Sequence, residues 1–336
     1  MNRANVLSAI EKGKQYLLSL QQNGYWQGFP TLAGQSDIWV TGFITAHLKL
    51  FSVNEEWLTK AQRFLLASRH NSGGWSYSHL VPPDADSTSW CLMALEGYNG
   101  FTSAMQNESK VFLWKHFENN GFSTYHTGSG IHTFIGVPDI SVVAGWTSPH
   151  SDVTAAALLA DAHHKLIGQV AEELFQSQSK EGLLPAYWWR SKFYTLVILL
   201  RVFKRIKKSV SGSYGQLLRQ TLLNNQSESG FFSLDTVNEY NSFETALALE
   251  LFTHLSTDVA DLHFMKCTDA LLDKQKENGC WQGDDLLRIP LPYIHNPDTV
   301  TDWNRNSGGG NSYVEDKNGL FTTAISCYAL HTLLTL

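Results

Sequence analysis

The chain has 336 residues, 43% of them hydrophobic and only 17% charged, against roughly 25% charged in ordinary soluble domains; this composition excludes a disordered chain and a highly charged coiled coil. Lys+Arg 25 against Asp+Glu 31 gives a net charge of −6 with no long basic run, which argues against a nucleic-acid partner. The length permits two ordinary domains or one large single-core architecture, while 11 Trp, 12 Tyr and 18 Phe point to an interior that uses ring faces as well as volume.

In chain order, residues 1–22 read as an amphipathic helix with charges spaced through it, lacking the unbroken apolar core of a signal peptide. A pattern then recurs six times: a polar amphipathic helix, a glycine followed by aromatic or apolar residues, a loop, and a more apolar helix. The junctions are Asn23-Gly-Tyr-Trp26, Gly73-Gly-Trp-Ser-Tyr77, Asn120-Gly-Phe-Ser-Thr-Tyr125, Glu181-Gly-Leu-Leu-Pro-Ala-Tyr-Trp188, Ser229-Gly-Phe-Phe232 and Asn278-Gly-Cys-Trp281. Each glycine is expected to cap the preceding helix in the left-handed conformation. The helices before the junctions (about 4–22, 56–71, 103–119, 166–180, 213–228 and 261–277) carry apolar residues at i, i+3, i+4 and i+7 with charges between, and are predicted to form an outer layer. Those after them (about 37–51, 86–98, 151–164, 188–204, 240–255 and 320–335) are rich in Ala, Leu and Thr and poor in charge, as expected of an inner layer covered on both sides. The predicted fold is therefore all-α, a single α6/α6 toroid spanning residues 1–336, with strands only as short hairpins in loops.

The most apolar run, Tyr194–Leu200, is far shorter than the roughly 20 residues that span a bilayer, so a cytoplasmic location is expected. Cys91, Cys267, Cys280 and Cys327 are scattered without CxxC spacing, which argues against a disulfide framework and a zinc knuckle. Two loops, 121–150 and 284–318, exceed ordinary helix connections and are expected around the mouth of an inner cavity.

The segment Pro82-Pro83-Asp84-Ala85-Asp86-Ser87-Thr88 opens the second inner helix. Asp84, Ser87 or Thr88 can cap it. Two carboxylates at i and i+2 at a buried helix start repel each other and are desolvated, so one is expected to stay protonated at neutral pH and act as a proton donor. A plainer reading makes both of them helix caps favoured by the dipole.

The run from Gly73 through Ser89 resembles the Asp-x-Asp-Asp-Thr-Ala region of class II terpene cyclases, the squalene–hopene cyclase superfamily. The glycine-aromatic junctions resemble that family's degenerate Gln–Trp repeats. Asn119–Tyr125 followed by Ser151-Asp-Val-Thr-Ala155 is similar to its Gly-Trp-Gly-Ala-Tyr and Asp-Val-Thr-Ala segments, in the same order. Among such cyclases the single-barrel size looks like the monodomain enzymes of meroterpenoid pathways, which fold prenylated aromatic acids into fused rings. The resemblance implies that Asp86 protonates a terminal alkene or epoxide of a linear polyprene, with Asp84 its hydrogen-bonded companion and Asp152 a supporting carboxylate. It places Trp39, Tyr77, Tyr125 and Trp188 where rings face the cationic chain, and Trp75, Phe122 and Ser87 complete the expected substrate-binding set. A migrating carbocation is quenched by water, so ring faces must stabilise it, at roughly 0.5–2 kcal/mol each.

The sequence departs from the family pattern in two places. Ser87 stands where the motif has an Asp, and Ala156 where the hopene-forming enzymes have a His that strengthens the acid. No Asp-Asp-x-x-Asp segment is present, since Asp284-Asp285 lacks a third acid, so neither metal nor cofactor is expected. The expected partner is a hydrophobic linear isoprenoid or prenylated aromatic small molecule, with transient membrane contact during its supply. Arg190, Lys192, Arg288, Arg305, Tyr187, Tyr194 and Tyr293 are candidates for its head group. Competing readings are a prenyl diphosphate cyclase of class II, an α6/α6 carbohydrate enzyme using Asp84, Asp86 or Asp152, a prenyltransferase-like subunit with zinc on Cys280, Cys327 and His331, and a non-catalytic lipid-binding barrel.

Overall fold

In the computed structural model, residues 2–51, 55–209, 212–234, 240–255, 261–305 and 308–336 are described; residues 306 and 307 of the second long loop lie outside them. Six outer helices, α1 (Arg3–Ser19), α3 (Glu56–Ala67), α5 (Ser103–Trp114), α8 (Ile167–Gln176), α10 (Ser213–Asn225) and α12 (Leu262–Asp273), alternate with six inner ones, α2 (Ile38–Leu48), α4 (Ala85–Leu95), α7 (Ser151–Ala160), α9 (Tyr194–Arg205), α11 (Ser242–Leu255) and α13 (Leu320–Leu333). Each inner helix packs on the next, α2 on α4, α4 on α7, α7 on α9, α9 on α11, α11 on α13 and α13 back on α2, so the inner ring closes. Charge-poor sequence explains the layer: every described residue of α2 is buried, whereas α3 buries only Trp57, Ala61, Gln62 and Leu65. The fold is the α/α toroid expected from the repeats.

The junctions work differently from simple helix caps. The outer helices end several residues earlier than predicted, and Gly24, Gly73, Gly182, Gly230 and Gly279 lie in separate turns with φ between +76° and +98°. A Cβ on Gly24 would sit 2.6 Å from the Lys60 carbonyl oxygen, on Gly230 2.4 Å from that of Lys266, and on Gly279 2.3 Å from that of Lys12. Each turn is thus pressed against the following outer helix, and Gly279 against α1 completes the circle. The tryptophans two residues on act as staples. The indoles of Trp26, Trp75 and Trp281 donate to the carbonyls of Leu17 (2.7 Å), Leu65 (2.6 Å) and Leu271 (2.6 Å), while their backbone N–H groups donate to Thr41, Thr88 and Thr323 of the next inner helix. Phe122 and Phe232 make the same backbone bond to Thr154 and Thr245.

Three small sheets decorate the loops. β1 (Gly28–Thr31) and β2 (Gly34–Ser36) form a hairpin; β3 (Phe117–Glu118), β4 (Gly121–Ser123) and β5 (Pro149–His150) form an antiparallel sheet. In the second long loop β6 (Asp285–Ile289) pairs antiparallel with β8 (Ser312–Glu315), and β7 (Asn304–Arg305) adds in parallel, more structure than the hairpins predicted. A short helix, α6 (Ile131–Phe134), lies in the first long loop. The remaining departure is α9, which starts at Tyr194 and leaves Trp188 and Trp189 on an extended approach, where Trp189 bridges to Leu287.

Deep in the ring, Arg201 of α9 grips Glu250 of α11 through Nε and Nη2 (both 2.7 Å) and donates from Nη1 to His47 Nε2 of α2 (2.8 Å), its guanidinium stacked over Tyr328 of α13 at 4.1 Å. His47 Nδ1 reaches the Phe43 carbonyl at 2.8 Å, so the ring is neutral with its proton on Nδ1. Burial and then the Arg201 charge hold His47 down at about 3; for Glu250 burial is the largest influence and pushes upward, but the charge and hydrogen bonds of Arg201, with those of His254, together hold it down at about 2.

Candidate active site

The inner helices all begin at one end of the ring, and there the two long loops and the β1–β2 hairpin enclose a cavity of about 480 Å³. Its wall includes Trp39, Tyr77, Tyr125, Trp146, Trp188 and Trp189, with Leu287, Leu291 and Val314 from the second loop. The rings form a connected lining: Trp39 lies 5.7 Å from Tyr77 and 6.0 Å from Trp189, and Trp146 lies 5.7 Å from Trp188. Behind Trp39 and Trp189, Phe43 and Phe321 stack at 3.8 Å and 5°, fully buried and outside the lining.

At one side of this chamber α4 begins. Asp84, extended at φ −133° after the two prolines, caps the helix: its carboxylate accepts from the Ser87 N–H and the Ser87 hydroxyl, each at 2.7 Å. Asp86, one turn position inside the helix, faces the cavity and accepts from the Trp39 indole N–H at 2.7 Å. Burial, then the Asp84 and Asp152 charges, push the Asp86 carboxyl well above the usual carboxylate range; the Trp39 and Trp90 indoles oppose this less strongly. Burial raises Asp84 to about 7 against the bonds from Ser87. Asp152, on the first turn of α7, is raised by burial and accepts from the Trp188 N–H at 2.9 Å; its Oδ1 is buried with no hydrogen-bond partner among the described residues.

Several expectations need correction. Asp84 turns its oxygens to Ser87 and to backbone N–H groups, that of Asp86 among them, because an extended residue at a helix start points its side chain at the N–H groups ahead of it, so it acts on the Asp86 carboxyl by charge, with no hydrogen bond between the two carboxyls among the described residues. Trp75 and Phe122 sit behind the wall as junction staples and do not line the cavity. Of the head-group candidates, Arg288 alone lines the cavity, and its guanidinium is committed to Asp298 (2.6 Å) and to the carbonyls of Tyr187 (3.2 Å) and Ala186. Arg190 stacks on Tyr313 at 4.1 Å, Arg305 pairs with Asp285 at 3.0 Å, and Lys192 lies outside the wall. Tyr187 donates to the Ile294 carbonyl at 2.6 Å, Tyr293 is exposed, and Tyr194 is fully buried against Trp189 at 3.8 Å. Trp146 and Trp189 escaped the sequence reading; their signal was the second Trp of Trp188-Trp189 and the lone Trp at the end of a glycine-rich loop.

No family model and no curated protein sequence matches the chain, but solved structures do. The type II terpene cyclase MstE from Scytonema, solved as a variant with geranylgeranyl dihydroxybenzoate as substrate, is 25% identical over 99% of this chain and 98% of its own, with a TM-score of 0.87. The chain resembles a type II terpene cyclase from end to end. A second variant of MstE holds the product merosterolic acid A (25% identity, 98% and 97% covered, TM-score 0.87), and a protein from Actinoplanes is 26% identical over 98% and 99% with the same score. An ent-copalyl diphosphate synthase from Streptomyces platensis, at 15% identity and a TM-score of 0.56, shares the fold over 88% of this chain and 50% of its own.

Proposed function

We propose that the protein is a class II terpene cyclase that folds a linear polyprenyl substrate, a prenylated aromatic acid, into fused rings without change of mass. One observation carries this reading: a carboxyl held protonated by burial and neighbouring carboxylates opens, beside an indole donor, into an aromatic chamber. Asp86 transfers its proton to the terminal alkene, and the Trp39 N–H, already on its Oδ2, stabilises the carboxylate left behind. The cation then moves along the chain past the faces of Trp39, Tyr77, Tyr125, Trp188 and Trp189, which replace water as its surroundings. Asp84, tied up by Ser87, and Asp152, tied to the Trp188 backbone, hold Asp86 protonated through their charges.

The geranylgeranyl dihydroxybenzoate bound by MstE supports the prenylated aromatic acid as the substrate class. A diphosphate head would call for uncommitted cations in the wall, and the guanidinium there, Arg288, is already engaged. No helix among the described residues is long and apolar enough to cross a membrane. Exposed Leu32 and Phe134 line the cavity, and exposed Leu80 and Tyr293 are chain neighbours of the lining residues Val81 and Pro292; these apolar groups support uptake of substrate from a lipid surface by a peripherally attached protein.

The test is incubation of wild type and Asp86→Asn with farnesyl and geranylgeranyl compounds, free, diphosphorylated and joined to dihydroxybenzoate. The expected result is an isomer of the aromatic substrate from wild type and none from the variant. Conversion by folded Asp86→Asn at the wild-type rate overturns the assignment.

A further inference from the structure

Protonation starts a cyclisation, but a cation must also lose a proton to end it, and the group that receives that proton has to stand in the wall. Five hydroxyl-bearing side chains line the cavity: Thr31, Tyr77, Ser87, Thr124 and Tyr125; the Tyr125 hydroxyl has no base as a hydrogen-bond partner among the described residues. Thr31 donates to the Gly34 carbonyl at 3.2 Å and Tyr77 to the Phe29 carbonyl, neither of which is a base. Ser87 donates to Asp84, the carboxylate whose charge helps to hold the proton on Asp86. Thr124 is wired otherwise.

The Trp188 indole can only donate, so at 2.7 Å it gives its hydrogen to Thr124 Oγ1. His150 Nε2 lies 2.8 Å from the Gly145 carbonyl, which can only accept, so Nε2 carries the imidazole proton and Nδ1 is a lone pair. Thr124 Oγ1 is 3.0 Å from that Nδ1 and must donate to it. The hydroxyl therefore has one lone pair taken by Trp188, its hydrogen pointed at a base, and a second lone pair with no hydrogen bond among the described residues. His150 is buried and held in plane by Tyr187, stacked at 3.7 Å and 11°. The dyad lies on the loop side of the chamber: Gly145 packs against Ile294, and the Trp146 indole donates to the Pro290 carbonyl at 3.1 Å. The Thr124 carbonyl also accepts from the Ala85 N–H at 3.0 Å, so the pair stands between the start of α4 and the loops.

We propose that Thr124 and His150 form the proton-accepting pair that terminates the cyclisation, a step that rests on the cyclase reading above. A C–H bond next to the final cation breaks and its electron pair becomes the new C=C. The proton goes to the free lone pair of Thr124 Oγ1 while the proton already there moves to His150 Nδ1, leaving an imidazolium. Asp86 has meanwhile lost one proton, so the imidazolium proton returned to Asp86 restores the enzyme and no co-reactant is consumed. Burial holds His150 down at about 3, against the Gly145 bond; its lone pair is therefore available at neutral pH and the imidazolium gives its proton up readily. Thr124 touches the substrate, and His150 acts through it.

The experiment compares wild type, Thr124→Val, His150→Asn and Trp188→Phe with geranylgeranyl dihydroxybenzoate, reading substrate consumption and the double-bond position of each product by NMR and mass. Thr124→Val and His150→Asn should still consume substrate, but the share of the wild-type alkene should fall about tenfold or more, since a positioned base contributes roughly 10²–10⁴-fold; other alkenes and a water-captured alcohol take its place. Trp188→Phe removes the indole donor but leaves the pair, so its alkene should stay the same even if its rate falls. An unchanged alkene from Thr124→Val overturns the proposal, and so does Trp188→Phe shifting products as Thr124→Val does, because orientation of the ring is then the role of Thr124. His150→Asn, which keeps an acceptor for the hydroxyl but no base, decides the matter if Thr124→Val does not fold. Wild type forming no cyclised product sinks the cyclase reading itself, whereas wild-type cyclisation with unaltered variant products sinks only this step.

Discussion

Trp39→Phe separates two effects that the Trp39–Asp86 bond combines. The indole N–H sits 2.7 Å from Asp86 Oδ2, and the Phe ring keeps an aromatic face toward Tyr77 and Trp189 without the donor. A hydrogen bond to a neutral group contributes about 0.5–1.5 kcal/mol and to a charged one about 1.5–3 kcal/mol. Only the difference, about 0.5–2 kcal/mol, favours proton transfer, because the ground-state acid also enjoys the weaker bond. At 1.36 kcal/mol per decade the rate of cyclisation should fall roughly 2- to 30-fold. The same loss makes Asp86 a weaker acid that keeps its proton to higher pH. Activity requires the protonated form, so it declines as pH rises through the folded-state value, and that alkaline limb should move up in the variant even as the plateau drops. The assay is initial product formation with geranylgeranyl dihydroxybenzoate between pH 5 and pH 10, reported with circular dichroism to show the fold intact. A plateau equal to wild type, or an alkaline limb moved to lower pH, refutes the role given to the indole.

Arg201→Met leaves Glu250 buried without its partner, and unfolding in urea should show a loss of roughly 3–5 kcal/mol, most of it recovered when Glu250→Leu is added. Glu244, fully buried at the start of α11 with Oε2 lacking a hydrogen bond among the described residues, is raised by burial to about 7. A carboxyl raised in the fold costs stability above its ordinary 4.5, so Glu244→Gln should be more stable than wild type at pH 8, with a ceiling of about 3 kcal/mol at 1.36 kcal/mol per pH unit, and the gain should vanish below pH 4.5 in thermal melts. Gly279→Ala must place a Cβ 2.3 Å from the Lys12 carbonyl at φ +91° and should lose at least about 1–2 kcal/mol, whereas Gly168→Ala, in α8 with nothing within 4 Å, should hold or gain stability by the same melts.

The parts of this protein that were legible in its sequence are those governed by local rules. The six junctions could be read because a turn glycine and the aromatic or apolar residues after it are neighbours in the chain, with a tryptophan two residues on in three of them, and the inner and outer layers because burial on two faces or one shows along a single helix. The proposed acid stands out in the sequence because Asp84 and Asp86 share one helix start. Local reading also caused the errors. Trp75 and Phe122 look like cavity residues because they sit beside Tyr77 and Tyr125, yet the repeat that makes them conspicuous assigns them to outer-helix carbonyls and inner-helix threonines. Asp84 looks like a hydrogen-bonded partner of the Asp86 carboxyl from its position in the motif, but a helix cap points forward along the chain to Ser87. What could not be read is whatever ring closure assembles. Arg201, Glu250 and His47 come from three helices more than a hundred residues apart at the extremes, and nothing near any of them announces the other two. Trp146 and Trp189 meet the chamber only because long loops fold back over it. The proposed chemistry divides along the same line: the residue that we assign as proton donor lies in a motif, whereas the pair that we assign to the last proton, Thr124 and His150, comes together only when β5 is laid beside β4, which puts the His150 backbone opposite Phe122 and its ring within reach of the hydroxyl two residues further on.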